Sequence, residues 1–574
     1  MQVRVKLASL MVLVLSGILG AQETPPPPDA DSPAAPASGL STGRIAIGDT
    51  ETVVFFGDSI TEQNLYTAYL ETFLLTRLPD RTLAFFNFGW GGDTASGGNA
   101  RFARDVAPVK PTLVFVNFGM NDGGYRAFDE QTYRLYMDSQ AALADTIKAA
   151  GARQVLFTTS PVDDVLRGDK GVYNETLSRM AKGVAALGRE RQLPVIDLFN
   201  PMLDVQRRAK QRDAGFTMIP DTIHPDPVGH LVMAYIALRR IDAPRSVGEI
   251  TIDGTRVTAR GLRIDGLIEG DGLVQFDLTL PFLPFYVPED ARAALELVPF
   301  QSELNGFTLR GTPPADEPIV LSVDGVIAGV FAAPALARGV DLALLDKTPW
   351  ARAGRLLWET AQFRWDKHFE AWRRMGLDRP ARMMPELPSF EPLVRAQRAY
   401  ADDLGRSLQK LARPGTYRVT LAVPGGRVPI ESLDISPTYP LDALDTAYPP
   451  EKDSASVPWS NVPLAKGQVD LGAHFSGARD VVSYARLVLE AEGAAVVHLS
   501  LGSDDGLAVF LDGERVFARD VRRPLRPGED ELDLSLAPGR HELLFKVTQA
   551  GGGYGLAVEA QVLGRAKVRQ VPPS

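Results

Sequence analysis

The sequence predicts an α/β protein: a parallel sheet with helices on both faces, then a β-rich plus helical insert, then a C-terminal β-sandwich. Three observations predict it. From Glu51 to Ile241, short apolar runs alternate with amphipathic segments, the pattern of buried parallel strands joined by helices. From Val247 the apolar residues recur with period two, interrupted by two long stretches of helical spacing. From Leu471 to Leu563, short strands are separated by Gly- and Asp-rich turns, as in two-layer all-β modules.

The elements follow in order. Residues 1–21 begin with basic Arg4 and Lys6, continue through an apolar Leu7–Leu19, and end in small Gly20 and Ala21. This is the pattern of a cleaved secretory signal, and it predicts export to the periplasm or the extracellular space. The apolar run is short for a membrane span of about 20 residues. Residues 22–48, with the run Pro25–Pro28, read as a disordered linker.

In the expected catalytic domain, 49–245, strands are predicted over Thr52–Gly57, Leu83–Phe88, Thr112–Phe118, Gln154–Thr159 and Pro194–Leu198. Helices are predicted over Leu65–Leu78, Phe128–Ala150, Tyr173–Gln192 and Pro227–Arg240. A β-rich region, 246–350, carries Val274–Leu280 and Ile319–Val323, with an Asp324-Gly325 hairpin turn before Ile327–Phe331. A helical region, 351–412, holds helices over Arg352–Met375 and Ser389–Leu411. Its Trp358, Trp365, Phe369 and Trp372 fall at helical spacing and read as core. Residues 413–454 supply a strand at Tyr417–Val423 and a linker, and 455–565 form the sandwich.

Composition narrows the chemistry. The 574 residues include no cysteine, which removes disulfides, a thiol nucleophile and a Cys-bound metal. A net charge of −10 offers no basic face for nucleic acid. After the signal, no apolar run is long enough to span a membrane, so no membrane contact is expected of the mature chain.

Four short motifs then stand in one order: Gly57-Asp58-Ser59-Ile60, Gly89-Trp90-Gly91-Gly92-Asp93-Thr94, Gly119-Met120-Asn121-Asp122 and Asp221-Thr222-Ile223-His224-Pro225. Taken singly, each has a plain reading. Asp58 and Ser59 suit a helix N-cap, the glycines a turn, Asn121 an Asx-turn, and Asp221 a cap. Taken together they assemble chemistry. Ser59 sits at the carboxyl end of a strand, where open parallel sheets build their sites. A serine nucleophile needs a base, and between Glu51 and Ile241 only His224 and His230 are histidines. Asp221, three residues before His224, can accept from the imidazole and fix its tautomer. His230 follows Gly229 in the closing helix without such a carboxylate and reads as a packing residue. Asp93, Asp122, Asp221, His224 and His230 could be drawn as a metal cluster. The chain has no HExxH and no Cys pair, so no metal is expected. A phosphate loop and a convincing dinucleotide fingerprint are also missing, and no organic cofactor is expected.

The ordered set resembles the SGNH (GDSL-type) hydrolase family. The resemblance implies a flavodoxin-like α/β domain and ester hydrolysis, with Ser59, Asp221 and His224 as the catalytic residues. It further implies an oxyanion hole made by the N–H of Ser59, the N–H of Gly92 and the side-chain amide of Asn121. At Gly92 the residue type is read as permitting close backbone approach. The expected partner is an ester substrate. Export and the accessory β-module tilt it toward an acetylated glycan. A lysophospholipase or thioesterase of the same family is the alternative, and a non-catalytic carbohydrate-binding surface protein is the reading from another class. The run Gly502–Leu507 followed by Val509–Glu514 resembles PA14-like and related jelly-roll modules, which implies carbohydrate contact through this domain. Asp504 and Asp505 there read as a turn in preference to a calcium site.

Overall fold

The computed structural model describes residues 44–314, 317–378 and 391–573. The expected signal, and the linker up to residue 43, lie outside the described residues. The last residues of that linker are structured: Ile45–Ala46 pairs in parallel with Ile241–Asp242.

The N-terminal unit is built on a five-stranded parallel sheet. Its strands are β1 (Thr50–Gly57), β2 (Thr82–Gly89), β3 (Leu113–Asn117), β4 (Arg153–Phe157) and β5 (Val195–Ile196), in the order β2-β1-β3-β4-β5. β1 and β3 are buried on both faces, as their unbroken apolar runs require. Phe55 points one way and stacks on Phe115, opposite it in register, at 5.5 Å. Phe56 points the other way, onto Phe102 at 5.9 Å. Each such ring contributes about 1.5–3 kcal/mol by leaving water.

The crossovers are α1 (Ser59–Glu62), α2 (Tyr66–Arg77), α3 (Ala95–Asp105), α4 (Glu130–Ala149), α5 (Asp164–Arg167), α6 (Val172–Arg191), α7 (Phe199–Arg212) and α8 (Pro227–Leu238). α4 begins two residues later than its apolar spacing suggests. Asp129 caps it, accepting from the Thr132 N–H at 2.8 Å. α3 and α7 were not expected. α3 opens with glycines that argue against a helix, yet a Cβ on Gly98 would lie 2.5 Å from the Phe118 ring. Close packing on the sheet, not local propensity, decides that segment.

The middle region holds two sheets over one core. One is antiparallel, ordered 263–270, 273–279, 416–422, 319–323, 326–331. The other has four strands and includes the parallel pair of Phe307–Thr312 with Gly248–Asp253. Trp350 and Val274, Phe276 and Leu278 are among the residues buried between them.

Two helices, α9 (Pro349–Phe369) and α10 (Glu391–Leu411), lie against the N-terminal unit. α9 starts earlier than expected because Thr348 caps it, accepting from the Ala351 N–H. Beyond Phe369 the chain continues in wider π-type turns over Glu370–Asp378. The pair covers the edge strand β2. Arg364 Nη1 donates to the Phe85 carbonyl at 2.8 Å and Gln409 Nε2 to the Leu83 carbonyl at 2.9 Å. Side chains thus complete a sheet edge that has no further strand. Arg364 Nη2 also meets both Glu71 oxygens at 2.6 Å, and both residues are buried. Removing one partner of such a pair costs about 3–5 kcal/mol. Trp365 and Trp372 are buried in the same core, and Trp358 stacks on Tyr69 at 4.8 Å.

The C-terminal region consists of antiparallel strands in two sheets that share one apolar core, Leu499, Val509, Phe545 and Leu556 among its members. At its acidic turn, Asp505 has φ +65° and spends its carboxylate on backbone: Oδ2 accepts from the Ala550 N–H at 2.7 Å and Oδ1 from the Arg523 N–H at 3.3 Å. No helix among the described residues is long and apolar enough to cross a membrane.

Candidate active site

The site forms where β1, β2 and β3 end. Gly57 and Gly89 are register partners, and both are required by contact. A Cβ on Gly57 would lie 2.4 Å from the Asn117 carbonyl oxygen; one on Gly89 would lie 2.2 Å from the Glu62 nitrogen. Only glycine lets the short α1 lie across the strand ends, with Ser59 at its first position. Asp58 caps α1, accepting from the Ile60 N–H at 3.0 Å.

His224 reaches Ser59 from a loop 165 residues away in sequence, with Nε2 2.7 Å from the serine Oγ. Its Nδ1 lies 2.6 Å from Asp221 Oδ2. A carboxylate only accepts here, so Nδ1 carries the hydrogen and the Nε2 lone pair faces the hydroxyl. The other Asp221 oxygen accepts from the N–H groups of Ile223 and His224, at 2.9 and 2.7 Å. Burial works against the charge on Asp221, but the His224 N–H, the imidazole and the Ile223 N–H outweigh it and hold the carboxyl below its usual range. Thr222, inside this turn, has φ +75°. A β-branched residue there is strained by about 1–3 kcal/mol.

Gly92 and Asn121 lie on the loops after β2 and β3, either side of the β1 loop that carries Ser59. The two loops are bonded together: Asn121 Nδ2 donates to the Asp93 carbonyl at 2.8 Å, and the Ala95 N–H donates to Asp122 Oδ1 at 2.9 Å. Gly92 has φ +76°, which glycine adopts without strain, and a Cβ there would meet no protein atom within 4 Å. At Gly89 it is the chain itself that requires close approach.

Burial pushes the Asp58 carboxyl up to about 8, against the Ile60 N–H and with help from Asp122 and Asp93 nearby. Burial thus biases the acid beside Ser59 toward its uncharged form.

Three side chains without a sequence signal complete the frame. Arg101, buried, donates to the carbonyls of Gly57 and Phe88 at 3.2 and 2.9 Å and to Asp93 Oδ2 at 2.7 Å, tying two strand ends to the Gly92 loop. Gln63, just after α1, donates to the Pro225 carbonyl at 3.4 Å and pairs with His230 Nε2 at 3.0 Å. Tyr125 donates to Asn121 Oδ1 at 2.6 Å. His230 is fully buried, accepts from the Tyr66 N–H at Nδ1, and stays neutral because burial drives its pKa down to about 3. On the far side of the Gly92 loop, the Arg373 guanidinium lies 3.1 Å over the Trp90 ring and Trp372 packs edge-on to it at 6.0 Å. The helical region thus reaches the rim of the site.

Parts of the chain are similar to known proteins. The model of the GDSL-like Lipase/Acylhydrolase family matches residues 55–232. Acetylxylan esterase of Geobacillus stearothermophilus is 24% identical over 221 residues, covering 34% of this chain and 95% of the relative. GDSL esterase/lipase WDL1 of Oryza sativa subsp. japonica is 27% identical over 197 residues, 27% of this chain and 72% of the relative. A solved structure of a gut microbial diltiazem-metabolizing enzyme matches at a TM-score of 0.59 and 24% identity, over 67% of this chain and 100% of that one. That share exceeds the N-terminal unit, so the common fold extends beyond it.

Proposed function

We propose that the chain, an ester-hydrolysing enzyme with a GDSL-like lipase/acylhydrolase domain, is an exported serine esterase that removes acetyl groups from carbohydrate. One observation carries the mechanism: His224 bridges Ser59 and Asp221 at 2.7 and 2.6 Å, with its free lone pair on the serine.

Ser59 Oγ attacks the ester carbonyl carbon while His224 Nε2 takes its proton. The carbonyl oxygen becomes an oxyanion. The N–H of Ser59, the N–H of Gly92 and the second Nδ2 hydrogen of Asn121 receive it. His224 returns the proton to the leaving alcohol oxygen as the C–O bond breaks, leaving acyl-Ser59. Water then attacks the acyl carbon and gives a proton to His224; the bond from the acyl carbon to Oγ breaks as His224 passes that proton to Oγ, releasing the acid and free Ser59. Asp221 holds the imidazole in the required tautomer and balances its transient charge.

The acetyl-glycan reading is supported by the acetylxylan esterase relative, by the secretory pattern of residues 1–21, and by a C-terminal β-region separate from the site. The test compares residues 22–574 with Ser59→Ala on p-nitrophenyl acetate, butyrate and octanoate, then on acetylated xylan. Turnover that needs Ser59, falls with chain length and releases acetate from xylan is expected. Turnover that rises with chain length overturns the acetyl reading, and a wild-type rate in Ser59→Ala overturns the serine mechanism.

A further inference from the structure

We propose that Tyr125 is a positioning residue of the oxyanion site, its hydroxyl fixing and polarising the Asn121 side chain. The inference rests on the reading of Asn121 as an oxyanion donor.

Asn121 is held at both ends of its amide. Oδ1 accepts from Tyr125 Oη at 2.6 Å, and Nδ2 donates to the Asp93 carbonyl at 2.8 Å. Turned over, the amide would set Oδ1 against that carbonyl, oxygen to oxygen. Its orientation is therefore unique, and one Nδ2 hydrogen remains for a ligand. An O–H bond into an amide oxygen draws electron density from the nitrogen, so the remaining N–H becomes a stronger donor. Burial, against the pull of Arg167, raises the Tyr125 pKa and keeps the hydroxyl a donor.

The backbone is bent to make this contact. Gly124 and Tyr125 are consecutive left-handed residues, at φ +67° and +57°. A tyrosine there is a conformational outlier. The turn carries the chain back so that residue 125 meets residue 121, while the Gly124 N–H closes on the Asn121 carbonyl at 3.0 Å. Neighbours hold the strained residue in place. Arg167 Nη2 donates to the Tyr125 carbonyl at 3.2 Å. The Tyr173 ring lies 5.2 Å from the Tyr125 ring, and the Tyr173 hydroxyl donates to the Met120 carbonyl. α5 and α6 thus brace the loop from behind, and the Tyr125 hydroxyl is held against the Asn121 amide oxygen.

The test is a double-mutant cycle on p-nitrophenyl acetate with Tyr125→Phe, Asn121→Ala and both together, with kcat, KM and Tm measured for each. Tyr125→Phe keeps the ring and loses only the hydroxyl. Its kcat is expected to fall about ten-fold with KM and Tm unchanged. Asn121→Ala is expected to lose about 10²–10³ in kcat. The double variant is expected to match Asn121→Ala, because without the amide the hydroxyl has nothing to orient. A full further ten-fold loss in the double variant overturns the proposal and leaves the oxyanion reading standing. So does an effect of Tyr125→Phe confined to KM, which would make Tyr125 a substrate contact. A wild-type kcat in Asn121→Ala overturns the oxyanion reading and this proposal with it.

Discussion

Two places in this molecule build a similar His–Asp pair, and only one of them faces a hydroxyl. In the N-terminal unit, Asp221 gives one oxygen to the His224 N–H and the other to His224 Nδ1 at 2.6 Å. In the C-terminal region, Asp512 gives one oxygen to the Glu542 N–H and the other to His541 Nδ1, also at 2.6 Å. The pairs differ at the second ring nitrogen. His224 Nε2 meets Ser59 Oγ at 2.7 Å, whereas His541 Nε2 meets the Ala537 carbonyl at 2.8 Å. A hydroxyl can donate, so His224 Nε2 can accept the serine proton. A carbonyl can only accept, so His541 must carry a hydrogen on both nitrogens. Burial opposes that charge, but Asp512 and the Ala537 carbonyl prevail and raise its pKa. The carboxylate orients a histidine in either place; the group across the ring decides whether the result is a base or a structural cation.

That contrast can be broken in three places. His224→Ala should lower kcat on p-nitrophenyl acetate by about 10⁶, since nothing else takes the serine proton. A loss under ten-fold would erase the distinction between the two pairs. Asp221→Asn keeps the shape of the turn but presents an amide to the imidazole, favouring the wrong tautomer; a fall of about 10⁴ in kcat is expected. Loss appearing in KM instead would mean that Asp221 serves substrate binding. His541→Gln should leave kcat and KM unchanged and act on stability alone. The folded pKa of His541 lies above the unfolded 6.5, so its contribution is full below that pH and disappears as pH rises through the folded value. The Tm gap from the parent, a few degrees at most, should be widest near pH 5.5 and gone at alkaline pH. A gap that widens with pH would contradict the assignment of a charged ring.

Much of this was legible in the residues. The strands that end in Gly57 and Asn117 read as apolar runs, since both faces of each are covered. The approach of His224 to Ser59 followed from motif order and from the shortage of other histidines. The aromatic spacing of α9 correctly indicated core, but not that the core is a sheet edge. α7 was missed although Phe199, Met202, Val205 and Ala209 bury one face; Pro201 sits in its first turn, where a missing N–H costs nothing. Arg101, Gln63 and Tyr125 were not legible, because each acts through bonds to backbone or amide groups that only the folded chain brings near.

The covered edge of β2 bears on modularity. Its carbonyls at Leu83 and Phe85 are satisfied by Gln409 and Arg364, and its outer rings Phe86 and Phe88 pack on His368 and Trp372. A chain cut after the catalytic unit would present that strand bare: unpaired backbone beside a stripe of aromatic surface, a template for copies of itself. The hydrolase fold in this protein is therefore not a cassette that can be moved alone. The helical pair must travel with it, and since Trp372 and Arg373 also touch Trp90, exchanging that pair for another would remodel the rim of the reaction site in the same stroke.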